Sequence, residues 1–311
     1  MSNARENFLS RVGAIRDILA NGVSVDTTPV PTPSSSAVVI RNGCMVMLFC
    51  ALESFVRDRS LECAMAINQT AVPYTHLPAG LKVASVIATF EGLANLPRSM
   101  PIADRILEFE KAAAAVASGP LGSPYQFTPY SFARDKSNVG VDDISTIAKR
   151  FGIANFWNAA SAVCVKAGIT VQGNFDELYR QLALERHKAA HVVTHNVPHA
   201  LLSAFVWDSL ACALAFDTLL STATMKLSTS QIAAGVAPAT VTGADVDFLS
   251  IKPRPDGKWA ATLPQKTKAL FLESSREVAL ARAVQVSSTR KLSVICHDSA
   301  GRASAWRSLI G

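Results

Sequence analysis

The sequence is poor in charge. Only 17% of its 311 residues are Asp, Glu, Lys or Arg, against 49% hydrophobic residues. That balance excludes a mostly disordered chain, which needs few apolar groups and a high charge density. The length suffices for one large or two modest domains, each with a real core. CxxC pairs are missing as well. Cys44, Cys50, Cys63, Cys164, Cys212 and Cys296 lie scattered in apolar runs, which argues for reduced, buried thiols in a cytoplasmic protein rather than a disulfide framework. No internal repeat is visible. The first twenty residues, MSNARENFLSRVGAIRDILA, interrupt their apolar pattern with charges, unlike a signal peptide.

One long apolar run is present. Ala200–Leu220 (ALLSAFVWDSLACALAFDTLL) has the length to span a bilayer. Asp208 and Asp217 would then sit in hydrocarbon, at roughly 2.5–3.5 kcal/mol each near the centre. A buried central helix of a bundle explains the same run without that penalty, so no membrane partner is expected. Charge is also unevenly placed. Residues 226–311 hold 12 Lys and Arg against 6 Asp and Glu, while the rest of the chain holds 18 of each. The formal charge of +6 therefore lies in the last 86 residues, a basic segment suited to a polyanionic partner.

Periodicity outlines the elements. Asn3–Leu19 carries a helical apolar stripe, Asp26–Ser36 is a Pro- and Ser-rich connector, and Ala37–Asn68 reads as one long helix. Further helices are expected at Leu81–Asn95 and Ile102–Ser118, with loop from Pro120 to Val139. Asp142 or Asp143 is placed to cap a short helix ended by Gly152, and Asn155–Ala167 forms another ended by Gly168. Asn174 and Glu177 have the spacing of a capping box. The helix they open runs through the histidines to His195, until Asn196-Val-Pro198 breaks it and Pro198 starts the apolar helix. Past Met225 the texture changes. Val246–Ile251, Lys258–Leu263, Ala269–Leu272 and Lys291–His297 are strand-like, PRPDG is turn chemistry, and Ser275–Gln285 reads as a helix. Three segments follow: 1–36, helix and linker; 37–225, a helical domain; 226–311, a basic α+β unit. The fold class is mainly α.

The chemistry concentrates in RHKAAHVVTHNVPH (Arg186–His199), which holds His187, His191, His195 and His199, four of the six histidines. Residues four apart drift by only about 40° around a helix, so such histidines can simply share a solvated face. A metal reading uses His187 and His191 at the i, i+4 spacing of zinc helices. However, no HExxH is present, Lys188 adds positive charge, and neither His76 nor His297 has a ligand-like neighbourhood. A third reading pairs Arg186 with His191. Imidazole titrates near neutrality and can carry protons, whereas the arginine fork stays cationic and grips phosphate.

Arg186-His187-x-x-x-His191 resembles the R-[N/D/H]-x-x-x-H motif of the HEPN family of helical nucleases. Its context is similar too: a helix end late in a helical domain, an Ala190-His191 ending, and a long apolar helix just after. Ala51-Leu52-Glu53-Ser54-Phe55 resembles the acidic position on that family's first core helix. Ser137-Asn138 with DDISTIAKRFG (142–152) is similar to a segment of the RiboL-PSP-HEPN-like subgroup. The likeness spans roughly residues 37–220, and departs from the usual form in carrying Val192 where glycine is common after the histidine. It implies a HEPN-like bundle and a metal-independent endoribonuclease with no cofactor, working as a homodimer on RNA. Products would carry a 2′,3′-cyclic phosphate and a 5′-hydroxyl. In that picture His191 handles protons, Arg186 holds the scissile phosphate, His187 assists, and Glu53 orients either one. His195 and His199 are supporting or surface groups. The family's usual employment implies a toxin or antiviral-defence effector with an antitoxin or regulatory partner. The alternatives are a non-catalytic RNA-sensing or partner-binding protein, and a metal-dependent hydrolase using His187 and His191.

The C-terminal line KPRPDGKW (252–259), a helix with Ala279 and Ala281, then Leu292–His297 and DSAGR (298–302) resembles a small uncharacterised bacterial domain. That likeness implies a short antiparallel sheet with one helix and no particular activity. Lys188, Lys252, Arg254, Lys258, Lys266 and Lys268 are candidates for contacting RNA phosphates; the other role for the unit is docking or oligomerisation. Arg57 and Arg59 read as a solvated helix face, with RNA contact the lesser option.

Overall fold

The computed structural model describes residues 2–22, 24, 34–97, 99–121, 124–133, 138–171, 173–264 and 266–310. Most of the expected connector (26–33) and Ser137 of the subgroup-like segment lie outside the described residues.

Two long helices form the centre. α2 (Ser35–Asn68) starts two residues earlier than expected, because the Ser34 hydroxyl accepts the Ala37 N–H at 3.1 Å. α9 (His199–Leu227) begins directly after Pro198. Both are long and apolar enough to cross a membrane by length and composition alone. Here they pack on each other, with α1 (Asn3–Ala20) against α2. A helix apolar on all sides belongs in the middle of a bundle. Of the two acids in its apolar run, Asp217 is fully matched. Asp217 is buried and accepts from Arg59 Nε (2.7 Å), Arg5 Nη1 (3.1 Å), Ser221 Oγ (3.1 Å) and Trp306 Nε1 (2.7 Å). Arg59 is therefore not on a solvated face: it is 1% exposed.

Between the long helices the chain runs through α3 (Ala79–Val83), one π-helical turn (Ala84–Ala88) and α4 (Thr89–Ala94), where one regular helix was expected. The wide turn lets the Thr89 hydroxyl reach Ala84 O, Thr128 and Ser131. α5 (Ile102–Ser118) matches its expected bounds. The cap of α6 (Val141–Arg150) differs: Gly140 takes the cap position, and Asp143, three residues in, accepts its N–H at 2.9 Å. Gly152 ends this helix region at φ +86°, a conformation only glycine adopts cheaply. Asn155 caps α7 (Phe156–Lys166) through the Asn158 N–H.

α8 (Phe175–His191) carries two corrections. Asn174 makes no side-chain cap, and Glu177 accepts from Gln181 instead of closing a capping box. The helix also stops at His191. Val192 is extended (φ −106°, ψ 105°), and tertiary bonds hold the next residues off the helical path. Asn42 on α2 donates to His195 O (2.8 Å) and accepts from Val197 N–H (3.1 Å), while Arg41 donates to Asn196 Oδ1 (2.7 Å).

After the short α10 (Ser230–Ala233) come β1 (Phe248–Pro253), β2 (Trp259–Thr262), β3 (Phe271–Glu273), α11 (Arg276–Arg290), β4 (Ser293–His297) and β5 (Ala303–Arg307). Strand order is β3-β2-β1-β4-β5; β1 and β4 run parallel, and every other pair is antiparallel. The sheet is thus mixed, and β5 was not foreseen. α11 makes the crossover from one edge of the sheet to β4, which parallel pairing requires. Alternation splits the sheet's faces. Leu249, Ile251, Val294 and Cys296 pack with Ala279 and Ala283 of α11, while Phe248, Ile295, Ala303 and Trp306 join the core of the helical bundle. The small α+β unit is built onto the bundle. All six cysteines are unpaired, five buried and Cys50 half-buried.

Candidate active site

Two groups of the residues singled out by sequence assemble around the end of α8, and they face different ways. Phe175, Leu178, Tyr179, Leu182 and Glu185 are the buried stripe of that helix. Arg186 follows Leu182 by four residues and Tyr179 by seven, so it leans toward α2. Glu53 of α2 is buried there, 3% exposed, and its carboxylate interacts with both Arg186 and Arg57. Arg57 Nη2 stands 4.0 Å from Glu53 Oε1. Burial pushes the Glu53 carboxyl up, and the Val139 N–H, Arg57 and Arg186 pull it back part of the way. The Arg186 Nε is buried with no hydrogen-bond partner.

Glu53 also fixes the loop before α6. It accepts the Val139 N–H at 2.5 Å, and the buried Tyr179 hydroxyl donates to Val139 O at 2.8 Å. Arg57 Nε donates to Ala133 O at 3.0 Å. The 138–140 segment is thereby clamped between α2 and α8 through the backbone N–H and C=O of one residue, Val139.

His187 and His191 lie on the outside of α8. Both are exposed, and their rings pair at 4.9 Å between centroids. Five residues along an α-helix amount to a rotation of roughly 140°, so Arg186 and His191 of one chain do not share a face. Lys188 and His195 are held by Glu185, at 2.7 Å to Oε1 and 2.9 Å to Oε2. His199 reaches Leu19 O at 3.5 Å. Among the described residues no group of three His, Cys, Asp or Glu side chains gathers in a way that could hold a metal ion. His187 and His191 have no third ligand there.

The remaining basic candidates are exposed. Lys252 lies on β1, Arg254 and Lys258 flank the β1–β2 turn, and Lys266 and Lys268 lie in the β2–β3 connection. Arg254 pairs with Asp256 at 3.4 Å. Sequence reasoning missed Glu185, Asn42 and Arg41, which position the loop after α8. Glu185 had a usable signal, since it stands beside Arg186 at a core position of the helical stripe. Asn42 and Arg41 had none, because their partners lie some 155 residues away.

Compared with family models, with curated proteins and with solved structures, the chain matches none.

Proposed function

We propose that the protein is a metal-independent endoribonuclease of HEPN type, acting in the cytoplasm as a homodimer that places two α8 ends against one RNA strand. The observation that carries this reading is the half-buried Arg186. Its guanidinium has an unmade hydrogen bond and a buried carboxylate near it, and two solvent-open imidazoles stand one and five residues further along the helix. A cation near a buried carboxylate at a helix end is suited to a phosphate. The neighbouring histidines are suited to proton transfer.

In the reaction, the ribose 2′-oxygen attacks phosphorus and the bond to the 5′-oxygen breaks. One imidazole takes the 2′-hydroxyl proton, and another gives a proton to the departing 5′-oxygen. Arg186 stabilises the charge on the pentacoordinate phosphorus, the kind of contribution that is often the largest in such sites. Because Arg186 and His191 of one chain point about 140° apart, the pair that acts on one phosphate draws Arg186 from one protomer and His191 from the other. Lys188 and the basic residues of the C-terminal unit guide the RNA backbone. A toxin or defence role with a restraining partner fits an enzyme of this type.

The divergence of Arg186 from His191 also favours a second reading, a non-catalytic RNA-binding protein. Incubating the purified chain with total RNA, with and without EDTA, separates the two. EDTA-resistant cleavage giving 2′,3′-cyclic phosphate ends, lost in Arg186→Ala and His191→Ala, is expected. Binding without cleavage selects the second reading, and cleavage abolished by EDTA rejects both.

A further inference from the structure

A cleft of about 450 Å³ lies between α9, the start of α8 and the β4–β5 turn, lined by Thr170, Leu178, Trp207, Asp208, Ala211 and Arg302 among others. A second cavity of about 500 Å³ opens on the other side of Trp207 and Arg302, where Arg16, Asp17 and His199 line it. Both volumes fall in the ~300–1,000 Å³ range of small-molecule sites. The two share a wall. The Arg302 guanidinium stacks 4.0 Å from the centre of the Trp207 ring and Arg16 stacks 4.5 Å from it.

Asp208 is the anomaly. The buried acids of the described residues are matched: Asp217 by two arginines, Glu53 by a backbone N–H and Arg57, Glu185 by Lys188 and His195. Asp208 has no donor among the described residues, and burial alone pushes its carboxyl up to about 6. Arg302 shares the cleft but is turned to Asp298, 3.0 Å away, and to Trp207. Arg16 forms no ion pair among the described residues. A half-buried carboxylate that no protein donor meets thus faces the cleft, and a ligand that supplies donors can pair with it.

The surroundings select the ligand. A cationic group would satisfy Asp208 but would meet Arg302 in the same cleft, on a chain with net charge +6. What fits is a neutral pair of adjacent N–H donors on a flat ring, joined to an anion. Guanine presents N1–H and the 2-amino group side by side, matching the two oxygens of one carboxylate. Adenine presents an acceptor at N1. Aromatic rings and arginine planes are the usual stacking partners of an unstacked base. We infer that this cleft binds a guanine nucleotide, with Asp208 reading the N1–H and 2-amino edge and Arg302 taking the phosphate. The site shares none of its proposed contacts with Arg186 and the α8 histidines, so it stands or falls independently of the ribonuclease reading.

Binding of GMP, IMP and AMP to the full chain, followed by calorimetry, tests it. GMP is expected to bind roughly tenfold or more tighter than AMP, the discrimination of a good bidentate contact. IMP, which keeps N1–H and lacks the 2-amino group, falls between them. Asp208→Ala should abolish the preference for GMP. Asp208→Asn, which keeps shape and loses the second acceptor, should do the same if the alanine variant fails to fold. Arg302→Ala should bring GMP down toward guanosine. A short single-stranded RNA with one guanosine, run against its adenosine counterpart, tells whether the base arrives free or in a strand. Equal affinity for GMP and AMP, a GMP preference that survives both Asp208 changes, or no binding of GMP or either RNA would overturn the inference.

Discussion

Replacing Asp217 with alanine should be among the most damaging single changes in this molecule. The carboxylate is fully buried and joins α1, α2, α9 and β5 through Arg5, Arg59, Ser221 and Trp306. Its loss strands the arginines unequally. Arg59 keeps Glu62 at 2.8 Å, Ser221 and the carbonyl of Ile310. Arg5 keeps only the Ser308 hydroxyl at 2.8 Å, and its Nε and Nη2 already lack partners. Removing one partner of a buried ion pair typically costs about 3–5 kcal/mol, a large share of the ~5–15 kcal/mol that holds a domain together. In urea denaturation the midpoint should fall by about 1–2 M. The pH dependence fixes the cause. Burial raises the Asp217 carboxyl, but Arg59, Arg5 and the Trp306 N–H outweigh it and hold it below its ordinary value of 3.8. A lowered carboxyl stabilises the fold fully above the unfolded value, and that stability disappears as pH drops through the folded one. The gap between wild type and variant should hold from pH 8 to 5 and close only below about 3.8. A loss under 1 kcal/mol at pH 7, or a gap that persists unchanged at pH 3, would refute the reasoning.

Asp208→Asn should act in the opposite direction. A carboxyl raised from 3.8 to about 6 makes the folded state progressively less stable as pH climbs between those values. Relief of that strain is capped at about 3 kcal/mol and, for a partly exposed group, comes to roughly 1 kcal/mol; melting curves should show it at pH 8 and not at pH 4. Gly80→Ala should lower the melting temperature, because a Cβ there would come within 2.7 Å of the Arg150 Cα, an overpacking worth about 1–3 kcal/mol. Glu53→Gln keeps an acceptor for the Val139 N–H but removes the charge behind Arg186. RNA cleavage assays should show reduced turnover in that variant, while its urea midpoint stays near wild type because burial already opposes the ionised form.

Helix positions were legible because they rest on local signals. Ile102–Ser118 was bounded to the residue, and Gly152 and Gly168 were read as stops from their chemistry alone. Errors arose where a distant group competes with the local signal. Asp143 follows the cap because Gly140 occupies it, and α8 ends at His191 because Asn42 and Arg41 seize the next residues. Arg59 looked solvated in a charged stretch, yet its partner Asp217 lies 158 positions away. β5 went unnoticed because ASAWR is too short and too mixed to signal a strand by itself; its pairing with β4 makes it one. At the site, the stretch 186–199 named the residues but not their directions. The inward lean of Arg186 and the outward pair of histidines both depend on a helix register that only the packed stripe fixes.

The charge cluster around Asp217 binds together segments far apart in the sequence, from Arg5 to Ile310. Arg59 is translated about 250 residues before Ser308 and Ile310, which it contacts in the finished protein, and Arg5 likewise waits for Ser308. A ribosome-bound chain can pair both arginines with Asp217 once α9 has emerged, yet the neutral partners of their remaining N–H groups arrive only after β5. A product stopped before β5 keeps the ion pairs to Asp217 and lacks the Trp306, Ser308 and Ile310 contacts that complete the cluster.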